Sequence, residues 1–586
     1  MKKSYFDLTN LSLLFASLAF WILSILTAQY SFSSSVFSYF FLLPMSYWVS
    51  ISLLIVTISF RLLKVKNPNQ GLFDCLTLFV LVLVLFGTPS FIEQTPRMLD
   101  VYGHISQALA VQSTGKAGPS LLAQNVPASS YEVNYPGFFI LVTSILSLTG
   151  LSWISVAQYY PIFLMVLISF LIYVIARKFS QRFSILAPAV FLSFAWFEEF
   201  HLSPDSFALV LYLIAWLIFI QILDRKKGMP PRASLVSFLL IIFSLIVSHA
   251  GGPIFVLLNL AAFLIIGYFS YFRIQFSRKN WLILFLFIFV LYLAWSLDGA
   301  FTSFSTLLQS VIDSLGKLSI NAIASRTAPL SSGYYLVGLM REAEIGIINL
   351  AGLICGIFII RSNKTRNYGI VLLSWWVSCW SFALYSFGSS GSYIERPALF
   401  SLIPVGLMVA TFLSTLKTSS RFKLFAIFTV LLIGIGSFIL PITRNANDVF
   451  ETPPLSSISA ANFAVSEISP ALIIGGHNYE KTVLYAGPNL SLEALFDQID
   501  SKSIPYGYLF DNTILIQNMS LLLFDRPAYA YAVNYGYAAE YQQVQNFSLS
   551  QFSRIYDNGG ATIYINRLEN FNLTSEFGNK FADIGS

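Results

Sequence analysis

The stretch PGFFILVTSILSLTGL (136–151) decides how this chain is threaded. Its apolar residues invite reading it as a membrane span. A helical rise of ~1.5 Å per residue, however, leaves it short of a ~30 Å hydrocarbon layer. Counting it as a span would also put the basic loop holding Arg177, Lys178 and Arg182 opposite the other basic loops. We read it as an interfacial or re-entrant helix that returns the chain to the surface it left. The residues before it then belong to one large outer loop, 90–153.

Working outward, apolar runs fall near 9–28, 39–60, 72–89, 155–176, 183–200, 206–223, 234–250, 254–271, 281–297, 345–361, 368–387, 397–415 and 424–441. Each is long enough, some barely, to cross a bilayer, so about thirteen transmembrane helices are expected in 1–441. Lys2 and Lys3 open the chain. Basic residues then recur at every second loop, from Arg61, Lys64 and Lys66 to Lys417, Arg421 and Lys423. The short loops between carry almost none. The positive-inside rule puts the N-terminus in the cytoplasm and the segment after the last span outside. MKK and the apolar run after it lack a clear small-residue cleavage site, which reads as an uncleaved first span.

Composition points the same way. With 56% hydrophobic and 11% charged residues among 586, this is a multi-pass cell-membrane protein. The 55 Phe and 30 Tyr suit lipid-facing and interfacial positions. Cys75, Cys355 and Cys379 all sit in apolar runs, so neither a disulfide scaffold nor a Cys-type metal site is expected. The chain has no Walker loop, dinucleotide fingerprint or internal repeat, and no nucleic-acid partner is expected.

The first outer loop contains TPRMLDVYGHISQALAVQ (95–112). Thr95 followed by Pro96 signals a helix start. Met98, Val101, Ile105 and Leu109 form an apolar stripe expected to lie on the bilayer surface. Asp100, His104 and Gln107 share another side of that helix. An acid and an imidazole at a membrane surface suit chemistry, and equally suit a solvated face.

Three further outer segments carry ionisable groups. FEEFHLSPDS (197–206) supplies Glu198, Glu199, His201 and Asp205, and GSSGSYIERP (388–397) supplies Tyr393, Glu395 and Arg396. The loop 298–344 holds Lys317, Arg326, Arg341, Glu342 and Glu344. His249 lies in SHAGGP (248–253), where a structural role at a helix end is expected. After the last span, 442–586 mixes charges, Asn, Gly and Tyr with short runs such as ALIIGG, TVLYAG, TILIQN and ATIYIN. These read as strands of an extracytoplasmic α/β domain. Sequons at Asn489, Asn518, Asn546 and Asn572 are compatible with that side.

The outer face thus gathers carboxylates from two loops and an arginine from a third. Two carboxylates hold a divalent cation, or one acts as general base towards an alcohol. Arginine presents a planar fork that matches phosphate oxygens.

On these features the chain resembles the GT-C superfamily of membrane glycosyltransferases, which includes protein mannosyltransferases and lipid A aminoarabinose transferases. The likeness rests on LDVYGH (99–104), the YPG element (135–137), FEEFHLSPDS, SHAGGP, YIERP and the ending SRIYDNGGATIYIN (553–566), which looks like a terminal hairpin. The resemblance implies that a sugar passes, with inversion, from a polyprenyl-phosphate donor to a lipid, glycan or protein acceptor. It implies that Asp100 is the catalytic carboxylate near the acceptor, with Glu198, Glu199 or Asp205 as the second acid. Arg396 would hold the lipid phosphate, with His104, His201, His249 and Tyr393 in the substrate site. A divalent cation, Mg²⁺ or Mn²⁺, on Asp100 and Glu199 is the one cofactor to consider. The chain lacks a WWDxG-like motif, which sets it apart from oligosaccharyltransferases proper. A flippase of lipid-linked glycans would be expected to show mid-span charges or repeated halves. A non-catalytic scaffold would leave the convergent acids unexplained.

Overall fold

The structure, a computed structural model, describes residues 2–29, 34–63, 71–98, 100–124, 131–197, 199–223, 231–269, 278–316, 331–382, 395–416, 420–448, 452–467, 473–474, 521–534, 542, 552–558 and 561–566. The chain divides into two compact units, Met1–Thr452 and Pro453–Ser586.

The first unit is helical throughout. Its helices are α1 (Lys2–Thr27), α2 (Ser38–Leu42), α3 (Met45–Leu63), α4 (Gly71–Val82) and α5 (Thr88–Ile92), the last two joined by a π-turn at Leu83–Gly87. The outer-loop segment forms α6 (Asp100–Thr114), a 3₁₀ turn at Gly118–Gln124, α7 (Tyr131–Asn134) and α8 (Gly137–Thr149). Then come α9 (Trp153–Phe179), α10 (Leu186–Phe194), α11 (Pro204–Leu223), α12 (Pro231–Ser248), α13 (Gly252–Phe269), α14 (Arg278–Asp298) and α15 (Phe301–Gly316). The unit closes with α16 (Ser332–Arg361), α17 (Arg366–Ser381), α18 (Glu395–Thr415) and α19 (Ser420–Asn445).

Among the described residues, each of the thirteen apolar runs carries a helix. Among the described residues, nine helices are long and apolar enough to cross a membrane. A run that must satisfy its own backbone groups in hydrocarbon has no alternative to the helix. At 13 residues, α8 spans about 20 Å, well short of the hydrocarbon thickness. The run 183–200 is the exception in length. Only nine of its residues form α10, and every one of them is buried, as expected for a helix apolar all round. α18 approaches it so closely that a Cβ on Gly406 would stand 2.6 Å from the Ala187 carbonyl oxygen.

Polar side chains join the helices inside the bundle. Asn349 Oδ1 accepts from Trp376 Nε1 at 2.7 Å, Trp380 Nε1 at 3.1 Å and Ser401 Oγ at 2.9 Å. Tyr212 OH accepts from Trp375 Nε1 at 2.6 Å and Asn259 Nδ2 at 3.0 Å. Asp74 receives both arms of Arg61 at 2.8 and 3.2 Å, and the Tyr173 hydroxyl at 3.0 Å. Such bonds hold helices together where apolar burial alone discriminates poorly against lipid.

The segment expected as loop 298–344 is largely helical. α15 and α16 occupy most of it, while Lys317 and Arg326 lie outside the described residues. Arg341 and Glu344 are buried on α16, and Arg341 Nε donates to the Thr443 carbonyl at 2.7 Å. The residues at the end of α19 thus supply partners for Arg341, whose Nη2 also lies 3.4 Å from Asn447 Oδ1.

The second unit holds α20 (Leu455–Glu467), β1 (Ile473–Ile474), β2 (Leu521–Asp525), α21 (Arg526–Asn534), β3 (Phe552–Asp557) and β4 (Ala561–Asn566). The strands form one sheet in the order β1-β2-β4-β3, with β1 parallel to β2 and the rest antiparallel. β3 and β4 form a hairpin in the SRIYDNGGATIYIN ending, with a register shift between Arg554 and Tyr556. ALIIGG and ATIYIN supply β1 and β4. TVLYAG, TILIQN and the four sequons lie outside the described residues.

Candidate functional site

The turn after α10 and the start of α11 set the geometry. In SPDS, Ser203 caps α11: its Oγ accepts from Ser206 N–H at 3.2 Å, and Pro204 takes the first position. Asp205 follows in the first turn, where the positive end of the helix dipole favours a carboxylate. The Ser206 hydroxyl meets Tyr160 OH at 3.0 Å.

Asp205 joins two other helix starts. His249 Nε2 lies 2.7 Å from its Oδ1, and Arg396 Nη2 lies 3.3 Å from Oδ1 and 3.4 Å from Oδ2. His249 precedes α13, and its Nδ1 accepts from Gly251 N–H at 3.1 Å and Gly252 N–H at 2.9 Å. The helix-end role expected for it is therefore present. Arg396 stands in the first turn of α18.

A cavity with an empty volume of about 420 Å³ opens at this junction. Glu199, Asp205, His249 and Arg396 line its polar side, and Phe255, Phe382 and Phe400 its apolar side. Phe255 and Phe400 stack face to face with centroids 4.0 Å apart. Farther along α11 and α13, Ala215, Trp216, Val256, Leu260 and Phe263 line an apolar pocket of about 250 Å³.

Glu199 presents a buried Oε2 that has no hydrogen-bond partner. Burial pushes its carboxyl up to about 8; Glu395 and Asp205 add to the rise and Arg396 opposes it. Glu199 is thus protonated at neutral pH.

The first outer loop reaches the same place through two side chains. His104 on α6 stacks on His201, with centroids 6.2 Å apart and planes 11° apart. Its Nδ1 meets Gln107 Oε1 at 3.2 Å. Burial and His201 push its pKa down to about 4, against the pull of Asp100, the Gln107 bond and Asp205. Tyr131 on α7 accepts from Ala250 N–H at 3.3 Å, and its ring lies 6.1 Å from that of His249. Tyr131 is a residue that sequence reasoning missed, because one tyrosine on a four-residue helix leaves no periodic signal.

One local expectation for this loop is overturned. The helix begins at Asp100, not near Thr95, because Met98 adopts φ 67° and Arg97 is drawn to Asp448 of the α19 end. Of the expected stripe, Val101 and Ile105 are buried by protein while Met98 and Leu109 are half-buried, and α6 packs against α8. α8 in turn meets the end of α12. A Cβ on Gly137 would stand 2.3 Å from Ser248 Oγ, which accounts for glycine in the YPG element.

Asp100 is exposed at the start of α6 and does not line the cavity, although its charge reaches His104. Glu198 and Tyr393 lie outside the described residues. Among the described residues no three His, Cys, Asp or Glu side chains are placed to hold a metal ion. The pair Asp100 and Glu199 is not brought together as a cation site, since Asp100 is exposed outside the cavity lining and Glu199 lines it.

No family model matches the chain, and no curated protein matches it. Among solved structures it is similar to the crystal structure of ArnT from Cupriavidus metallidurans in the apo state. The two share 11% identity with a TM-score of 0.44, over 84% of this chain and 97% of that chain.

Proposed function

We propose that this chain is a membrane-embedded glycosyltransferase. It moves a sugar from a polyprenyl-phosphate donor to a lipid, glycan or protein acceptor on the outer side of the membrane, with inversion. The observation that carries this reading is the convergence of three helix starts, α11, α13 and α18, on one cavity with Arg396 at its edge. Helix N-termini and a guanidinium together attract an anion such as a phosphate diester. The apolar pocket one to two turns deeper along α11 and α13 suits the start of an isoprenoid tail.

In the proposed reaction, the acceptor hydroxyl oxygen bonds to the anomeric carbon as the bond from that carbon to the phosphate oxygen breaks. The electron pair leaves on polyprenyl phosphate, whose charge Arg396 and the helix starts balance. The acceptor proton passes to Asp100, the exposed carboxylate at the start of α6. Glu199, protonated, donates a hydrogen bond to the bound sugar. The test is transfer from synthetic polyprenyl-phosphate sugars by the full chain in proteoliposomes. Release of polyprenyl phosphate that Arg396→Ala removes supports the reading. Donor translocation without release, unchanged in Arg396→Ala, rejects it.

A further inference from the structure

The turn His249-Ala250-Gly251-Gly252 is bonded at each of its residues. Gly251 and Gly252 donate to His249 Nδ1, Ala250 N–H donates to Tyr131 OH, and Tyr292 OH donates to the Ala250 carbonyl at 3.2 Å. The two glycine N–H groups are the donors that a helix start leaves without intrahelical partners, so His249 acts as the cap of α13. A ring nitrogen that accepts two N–H groups carries a lone pair, not a proton. The proton of the neutral ring is then on Nε2, which faces Asp205 Oδ1 at 2.7 Å. His249 is 5% exposed, so this arrangement is enclosed by protein.

We propose that His249 is a positioning residue, locked by the α13 cap as an Nε2–H donor that fixes the Asp205 carboxylate against Arg396. This deepens the transferase reading and rests on it for its kinetic consequence. Among the described residues, Asp205 meets two donors at Oδ1 and Arg396, at 3.4 Å, at Oδ2. The carboxylate and guanidinium are thereby held in one orientation at the cavity wall. Ala250 bridges Tyr131 of the first outer loop to the same turn, so the seating of that loop reaches Asp205 through backbone hydrogen bonds.

His249→Asn separates the cap from the donor. Asparagine accepts from the i+2 and i+3 N–H groups in an Asx turn, and it is too short to reach Asp205. The expected result is a Tm close to wild type, a kcat lower by about ten- to a hundredfold, and a donor KM that rises in the same direction as in Asp205→Asn. Wild-type kcat in this variant overturns the proposal. A second measurement needs no turnover. The chain has four histidines, so ¹⁵N-histidine labelling of the full chain in nanodiscs gives few signals, and His249→Asn assigns the pair that matters. The expected spectrum has unprotonated Nδ1 and protonated Nε2, with Nε2 displaced by Asp205→Asn. A proton on Nδ1, or an Nε2 signal indifferent to Asp205→Asn, overturns the lock. If wild type shows no transfer, the functional reading fails while this spectrum still decides the inference.

Discussion

His104 and His201 lie ring over ring, 6.2 Å between centroids, and so join the first outer-loop helix to the turn that carries Glu199. Two imidazoles so placed tolerate little positive charge, and His104 is held neutral down to about pH 4. Its folded pKa lies below the unfolded value of ~6.5, so its contribution to stability is complete above that value. It is lost as pH falls through about 4. Thermal unfolding of His104→Gln should therefore show a shallower loss of Tm than wild type between these values. Parallel curves would mean that the pair does not carry this linkage.

Glu199 has the opposite sign. Its folded pKa of about 8 lies above the ordinary carboxyl value, so in the proposed reaction it serves as a hydrogen-bond donor at neutral pH and stops doing so as pH rises through 8. Wild-type transfer should fall on that alkaline limb. Glu199→Gln, which keeps a donor at all pH values, should retain activity and lose the limb, whereas Glu199→Ala should be poor throughout. A pH–rate profile of the three proteins decides it. An alkaline limb that survives in Glu199→Gln belongs to another group.

Asp100 and Asp205 should separate in kinetics as they do in space. Asp100→Asn removes the proposed base and should lower kcat by ~10²–10⁴. Asp205→Asn weakens the hold on Arg396, so the donor KM should rise as well. Equal, purely kcat effects for both would count against the assigned division of roles.

Tail binding has its own test. Val256→Trp narrows the apolar pocket of about 250 Å³ while leaving the polar cavity lining untouched. It should raise KM for long-chain donors and leave short-chain analogues nearly unchanged. A matching rise for both chain lengths would remove the tail from this pocket.

The pair Arg97–Asp448 joins residues 351 positions apart, and both side chains are nearly inaccessible. Glu93 Oε2 also stands 3.4 Å from Arg97 Nε, so Asp448→Ala leaves Arg97 one carboxylate and should cost about 1–3 kcal/mol. Removing Glu93 as well takes away the second carboxylate and should bring the loss to about 3–5 kcal/mol. Tm values for the single and double variants give the comparison, and equal losses would mean that Glu93 does not share the hold on Arg97.

The membrane part was legible because hydrocarbon leaves a long apolar run no conformation but the helix. That argument reached α8 too, which its length and the placement of the basic loop 177–182 together set apart from a full span. It failed at α10, where protein replaces lipid on all sides and a nine-residue helix suffices. The start of α6 was misread because the cap signal at Thr95 and Pro96 yields to Arg97, whose partner is far away in sequence. FEEFHLSPDS announced the acid, while the cap that Ser203 makes for α11 was seen only in the structure. The joining of Asp205 to His249 and Arg396 was not readable, since no local pattern records which helix starts meet in three dimensions.

Gly137 faces Ser248 with no room for a methyl group, and the Val247 carbonyl oxygen stands 3.1 Å from the same absent Cβ. Shrinking position 248 removes the closest contact and leaves those with Val247, so a side chain at 137 also asks α8 and α12 to part by a few tenths of an ångström. Across diverging relatives this position should therefore change less than its neighbours.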